Sequence, residues 1–350
     1  MPGTPARTAD AVTATEVVCL GESMVTFLPS QPGRLADVPS FGRGIGGAES
    51  NVACALAAAG HRAAWVSRVG ADGFGDHLIE AIAGYGVDTS TVRRDPARPT
   101  GIYFRTATDR AADVHEVAYY RAGSAASAMS PDNVPYEALF AGHVLHLSGI
   151  TAALSADCLA LLHDLTAPRP ARPLISFDVN HRPGLWRDAD AAPEVLLDLA
   201  RRSDLVFVGE DEAEEAWGVK GAEAIRAALP EPDVLVVKRG SDGAMVFSNV
   251  GEADVVTTVP ALRVDVVAPV GAGDAFAAGF LSATLRGLPV RDRVRHGHLM
   301  AAAVLTVPGD LTDPPARAHA DSLAALDDAS WGRLRLGPGW TGDDQEVRTT

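Results

Sequence analysis

The chain has 350 residues, of which 47% are hydrophobic and 21% charged, and a formal net charge of −15. This composition fits a soluble α/β protein of one large or two medium domains, and so acidic a balance excludes the basic footprint that nucleic-acid binding requires. No run approaches the ~18 apolar residues of a membrane span, and Cys19, Cys54 and Cys158 form no C-x-x-C pair, as expected in a reducing compartment without a disulfide framework.

Residues 1–16 lack the apolar core of a signal peptide, so a cytoplasmic location is expected. The first strand is predicted at EVVCLGE (16–22), followed by short extended stretches, MVTFLP (24–29) and DVPSFGRG (37–44). AESNVACALAAAG (48–60) reads as a helix closed by Gly60 at C′, RAAWVSRVG (62–70) as a strand, and GFGDHLIEAIAGYG (73–86) as a second helix. TGIYFRTAT (100–108) and HEVAYYRAG (115–123) then alternate as strands with no helix between them, the mark of an insertion outside the main sheet.

The β-α alternation resumes with strands at HVLHLSGI (143–150), PLISFDVN (173–180), DLVFVGE (204–210) and DVLVVKRG (233–240). Helices are predicted between them over 155–167, 192–203 and 211–217. GAMVFSN (243–249) and ADVVTTVP (253–260) read as an antiparallel edge pair, and helices come after them over 272–287 and 291–306. The strand cores are short apolar runs, as in parallel sheets buried on both faces. From Trp331 the periodicity is lost, so 331–350, like 1–16, is expected as a flexible tail.

Ligands of open α/β sheets bind beyond the carboxyl ends of the strands. The strand ends here lead into Gly21-Glu22, Ser148-Gly149, Asp178-x-Asn180-x-Arg182, Gly209 to Glu212, Lys238-Arg239-Gly240 and Gly271-Ala272-Gly273-Asp274. The last group stands at a helix start, where free N–H groups favour an anion and glycines allow its close approach. A carboxylate beside such an anion hole would repel phosphate, but is well placed to take a proton from a hydroxyl attacking it. The other reading of Asp274 is a first-turn acid favoured by the helix dipole. No G-x-x-x-x-G-K-[ST] occurs, which excludes a P-loop enzyme, and GADGFG (70–75) has the wrong spacing for a dinucleotide loop and reads as a turn.

GGAESNVACALAAAG and PVGAGDAFAAGF resemble, in order and separation, the two signatures of the ribokinase-like (PfkB) carbohydrate kinases, and the resemblance spans about residues 17–315. It implies an α/β fold, ribokinase-like, with a mostly parallel central sheet flanked by helices and a small β-sheet lid. The kinase domain would cover 17–330, with lid segments at about 24–44 and 98–122. GGAESN, YYRAGSAASAMSP, HLSGITAALS and DVNHRPGLW further resemble the 2-keto-3-deoxygluconate kinases, and Thr26 stands where many ribokinase-like sugar kinases carry a sugar-gripping aspartate, which fits a different substrate headgroup.

The resemblance implies phosphorylation of a primary hydroxyl by ATP, with Asp274 as base and Gly271, Ala272 and Gly273 as anion hole. Gly46, Gly47, Asn51, Tyr103, Tyr119, Arg121 and Arg182 would meet the substrate. Arginine suits the carboxylate of a sugar acid, and strand alternation lets only one of Tyr119 and Tyr120 face it. Gly209, Gly240, Gly273 and His298 would bind nucleotide, and Glu212 would help hold Mg2+ through water. His298 also reads as a surface histidine, Lys238 as a phosphate counter-charge or the partner of a nearby acid, and His143 and His146 as structural. The family's D-T/P-x-G-A-G-D is here A-P-V-G-A-G-D, and Ala268 offers no charged ligand, so K+ activation is not expected. A homo-oligomer is expected from the family habit of pairing lid strands. The alternatives are a kinase for a neutral sugar such as fructose and a non-catalytic sugar- or nucleotide-binding protein on the same fold.

Overall fold

Short, β-branched apolar runs separated by helices dictate the architecture. The computed structural model describes residues 14–106, 116–250, 253–342 and 348–349. Most of the expected N-terminal tail (1–13), part of the second lid segment (107–115) and 343–347 and 350 of the expected C-terminal tail lie outside the described residues.

Six parallel strands run side by side: Ala63–Val66, Val17–Leu20, Val144–Ser148, Leu174–Asp178, Leu205–Gly209 and Val234–Lys238. Ala244–Val250 and Ala253–Val259 complete the eight-stranded sheet as an antiparallel edge pair. Side chains alternate between its faces. Val17 and Cys19 join a core with Leu56, Phe276, Phe280 and Leu299, from helices Ala48–Ala58, Ala272–Leu285 and Val290–Leu305. Val18 and Leu20 join a second core with Leu161, Leu196 and Ile225, from helices on the other side. Covering both faces explains why the strands read as continuous apolar runs.

A separate four-stranded sheet has the order Phe41–Gly46, Met24–Pro29, Ile102–Arg105, Val117–Tyr120. Phe27 stacks on Phe104 across it at 4.7 Å between ring centroids. Local signals set the helix ends. Gly60 takes φ +89° beyond the helix Ala48–Ala58, and Ser148 and Ser155 cap successive helices through their hydroxyls. In the GADGFG stretch, Asp72 caps the helix Gly73–Gly84 and also accepts from the Thr100 N–H and hydroxyl, a structural turn.

The stretch from Trp331, expected as a flexible tail, is instead packed through residue 340. Trp331, Leu334, Leu336 and Trp340 are buried, and Leu334–Leu336 pairs in parallel with Arg263–Val264. A three-residue strand is too short to display a period, which is why no pattern marks it.

Candidate active site

Helices Ala48–Ala58 and Ala272–Leu285 pack together, and their N-terminal ends meet beyond the carboxyl edge of the sheet. Gly271 caps the second helix with φ +79°, and a Cβ there would stand 2.5 Å from the Asp310 carbonyl oxygen, so only glycine fits. The N–H groups of the first turn have no intrahelical partner. Asp274 lies in this first turn, and its Oδ2 accepts a 2.8 Å hydrogen bond from Asn51 Nδ2 of the first helix. Burial raises the Asp274 pKa to about 7; the Asn51 bond, Lys238 and Arg182 oppose the rise, and Asp178 adds to it.

This turn separates two cavities. The first, of about 610 Å3, is bordered by Gly46, Gly47, Asn51, Tyr103, Tyr119, Arg121, Arg182, Glu212 and Gly271 to Asp274. The second, of about 840 Å3, is bordered by Gly240, His298, Phe276 and Leu262. Lys238, Pro269, Ala272 and Gly273 belong to both walls. Lys238 Nζ lies 3.0 Å from Asp178 Oδ2; burial works to lower its pKa, but Asp178, Glu212 and Asp274 outweigh it and hold it above its ordinary value.

The two arginines stand in different states. Arg121 is partly buried, with its side chain 9% exposed, and is ion-paired with the buried Glu22, whose other oxygen accepts from Ser124. Arg182 is 53% exposed at its side chain and reaches Glu212 only at 3.5 Å. Tyr119 faces the first cavity with its ring 5.4 Å from that of Tyr103, whereas Tyr120 packs against Phe104. Gly46 leaves room for the Tyr103 hydroxyl, which a Cβ would strike.

Of the remaining sequence candidates, Gly209 is not among the walls of these cavities; it caps the helix Glu210–Trp217 and gives its N–H to Glu212 Oε2 at 2.7 Å. His298 is buried rather than on the surface, and burial lowers its pKa to about 4. His146 is likewise buried, bonded to Ser176 at 3.0 Å, with a pKa lowered by burial to about 3. Among the described residues no group of three or more His, Cys, Asp or Glu side chains is arranged to hold a metal ion. Glu212 Oε2 accepts from the Gly209 N–H and its Oε1 meets Arg182 only at 3.5 Å, so the carboxylate fits a Mg2+ held mainly by nucleotide phosphates and water.

Sequence reasoning missed three acids. Asp310 borders the first cavity and accepts from Tyr103 Oη at 3.2 Å and Arg105 Nη2 at 2.8 Å, and burial raises its pKa. It comes after Gly309 in the irregular TVPGDLTDPP, where nothing local marks it. Glu22 and Glu49 are visible in the sequence only as a strand-end residue and a helix-start residue. Glu49 is fully buried, Ser148 and Thr151 both donate to its Oε1 at 2.7 Å, and burial raises its pKa.

The pattern of the pfkB family carbohydrate kinases matches residues 14–317. The 2-dehydro-3-deoxygluconokinase of Bacillus subtilis (strain 168) is 37% identical over 308 residues, covering 86% of this chain and 93% of its own. That of Thermoproteus tenax is 35% identical over 310 residues, covering 88% and 93%. A sugar kinase from Pyrococcus horikoshii solved in complex with ATP superposes with a TM-score of 0.75 at 25% identity, covering 89% of this chain and 98% of that one. No helix among the described residues is long and apolar enough to cross a membrane. With a matching pattern over most of its length and a ribokinase-like fold, the chain belongs to the pfkB family of carbohydrate kinases, phosphotransferases with an alcohol acceptor.

Proposed function

We propose that the protein transfers the γ-phosphoryl group of ATP to the primary hydroxyl of 2-dehydro-3-deoxygluconate (2-keto-3-deoxygluconate) or a close sugar acid, giving the 6-phosphate. The observation that carries this reading is Asp274 in the wall of the first cavity, directly after Ala272 and Gly273, which border both cavities, held by Asn51 and poised near neutrality. The first cavity takes the sugar acid and the second the nucleotide. Two arginines and two tyrosines border the first, and Arg182 is the freer guanidinium for the carboxylate.

The acceptor hydroxyl lies against Asp274, which takes its proton as the oxygen attacks phosphorus. The amides of Gly271 to Gly273 face the phosphoryl oxygens, and an anion-hole donor of this kind is typically worth ~3 kcal/mol. Lys238 borders both cavities and offsets charge at the crossing. Mg2+ bound with the nucleotide, with Glu212 reaching it through water, would neutralise phosphate charge. The small sheet, whose Tyr103, Tyr119 and Arg121 sides face the cavity, acts as a lid that excludes water.

The ion pair of Arg121 with the buried Glu22 favours a second reading, a neutral sugar, because Arg121 is already charge-compensated. A panel of 2-dehydro-3-deoxygluconate, its galactonate epimer, fructose and ribose, assayed by ADP release, tests both. Preference for the keto-deoxy acids supports the proposal; turnover of fructose alone overturns the substrate and keeps the family.

A further inference from the structure

The family pattern ends at residue 317, yet the chain beyond it builds part of the second cavity. Trp331 is fully buried, its ring lies 4.6 Å from the Arg295 guanidinium, and its Nε1–H donates to the Pro260 carbonyl at 3.0 Å. That anchor sets Leu334–Leu336 beside Arg263–Val264 in parallel register, with Arg335 opposite Arg263 and both leucines buried.

Arg263, Asp265 and Arg335 all border the cavity. Asp265 Oδ1 accepts from Arg335 Nη2 at 2.7 Å. Among the described residues on this wall, one carboxylate thus stands with two neighbouring guanidiniums, on a chain of net charge −15. Like charges directly across a ladder are unfavourable, so a wall of this kind is suited to a partner that accepts hydrogen bonds or stacks on a guanidinium plane.

The residues common to both cavities mark the phosphoryl crossing, and Arg263 and Arg335 are not among them. A nucleotide anchored there by its phosphates extends its nucleoside into the part of the second cavity bordered by apolar Leu262, Phe276 and Ala301. We propose that the C-terminal strand is part of the nucleotide site, with the Arg335 guanidinium, steadied by Asp265, stacking on the heterocycle of the bound nucleotide. This rests on the nucleotide reading of the second cavity.

The test is thiol labelling of the full-length chain. Cys19, Cys54 and Cys158 are buried and burial raises the pKa of each, so the native background is slow. Arg335→Cys and Ser241→Cys each place one thiol at an exposed position bordering the cavity, the second outside the C-terminal strand. With ATP at ten times each variant's own Kd, labelling of both should slow about tenfold. Protection of Ser241→Cys without protection of Arg335→Cys would overturn the role of the C-terminal strand and leave the nucleotide cavity intact. Protection of neither would overturn both.

Discussion

Asn51 and Asp274, 223 positions apart, are joined by a 2.8 Å hydrogen bond that holds the carboxylate in the wall of the first cavity, directly after Ala272 and Gly273, which border both cavities. The bond comes from one helix start to another and fixes the position of the carboxylate proposed as the base. Asp274→Asn keeps the shape of this contact and removes the proposed base. Turnover should fall by about 10²- to 10⁴-fold, while ATP affinity, read by calorimetry, stays close to wild type. Retained turnover would remove Asp274 from the chemistry.

The same carboxylate sets a pH profile. Its pKa of about 7 means the base is lost to protonation as pH falls, so kcat/KM should drop about tenfold per pH unit below that value. The Asn51 bond works to lower the pKa, so Asn51→Ala should move the acidic limb to higher pH. Stability runs the opposite way. Because the folded pKa lies above the unfolded ~3.9, the folded state holds the proton more tightly, and stability present at low pH is lost as pH rises through about 7. The Tm of Asp274→Asn relative to wild type should therefore climb between pH 5 and pH 8.

Much of this site is written locally in the chain. The glycines around Ala272 and the helical pattern after them mark a helix start, and strand alternation separates Tyr119 from Tyr120 without any structure. What is not legible is pairing. Asp310 reaches Tyr103 across 207 positions, and Glu22 reaches the strand-end arginine, Arg121, through the small sheet. Those relations depend on how the chain returns, which no local period encodes. The Trp331 segment escaped for a related reason: its burial comes from Pro260 and Arg295, far upstream, while its own residues spell turns.

The arginines should separate on mutation. Arg182 is largely solvated and loosely paired, so Arg182→Ala should leave Tm near wild type. It should raise KM for the sugar acid by about 10- to 100-fold, the loss of a charge-assisted contact worth ~1.5–3 kcal/mol. Arg121→Ala strands the buried Glu22 carboxylate and should cost about 3–5 kcal/mol of stability besides. Urea unfolding beside initial-rate kinetics distinguishes the two; equal loss of stability in both would contradict the difference in burial.

The C-terminal packing carries its own test. Trp331 is fully buried, so Trp331→Ala should destabilise by ~3–5 kcal/mol, the range for emptying a large aromatic site. A chain in which 331–350 were a loose tail would lose almost nothing. Thermal unfolding of the variant decides between these outcomes.

With Ala268 in this loop, turnover should not depend on the choice of monovalent cation. It is 6% exposed, and the loop around it is held by backbone bonds, Val267 N–H to the Leu305 carbonyl at 2.7 Å and Ala268 N–H to the same oxygen at 3.4 Å. Neither bond needs a cation, and position 268 supplies no carboxylate to attract one. At constant ionic strength, turnover should be the same in K+ and Na+; strong stimulation by K+ would overturn this. Ala268→Asp makes the argument reciprocal. It buries a carboxylate, which is costly unless paired, so its Tm should fall in the absence of a bound cation. A cation that fits the new site should recover that loss, with K+ raising the Tm of the variant and leaving the wild type unmoved.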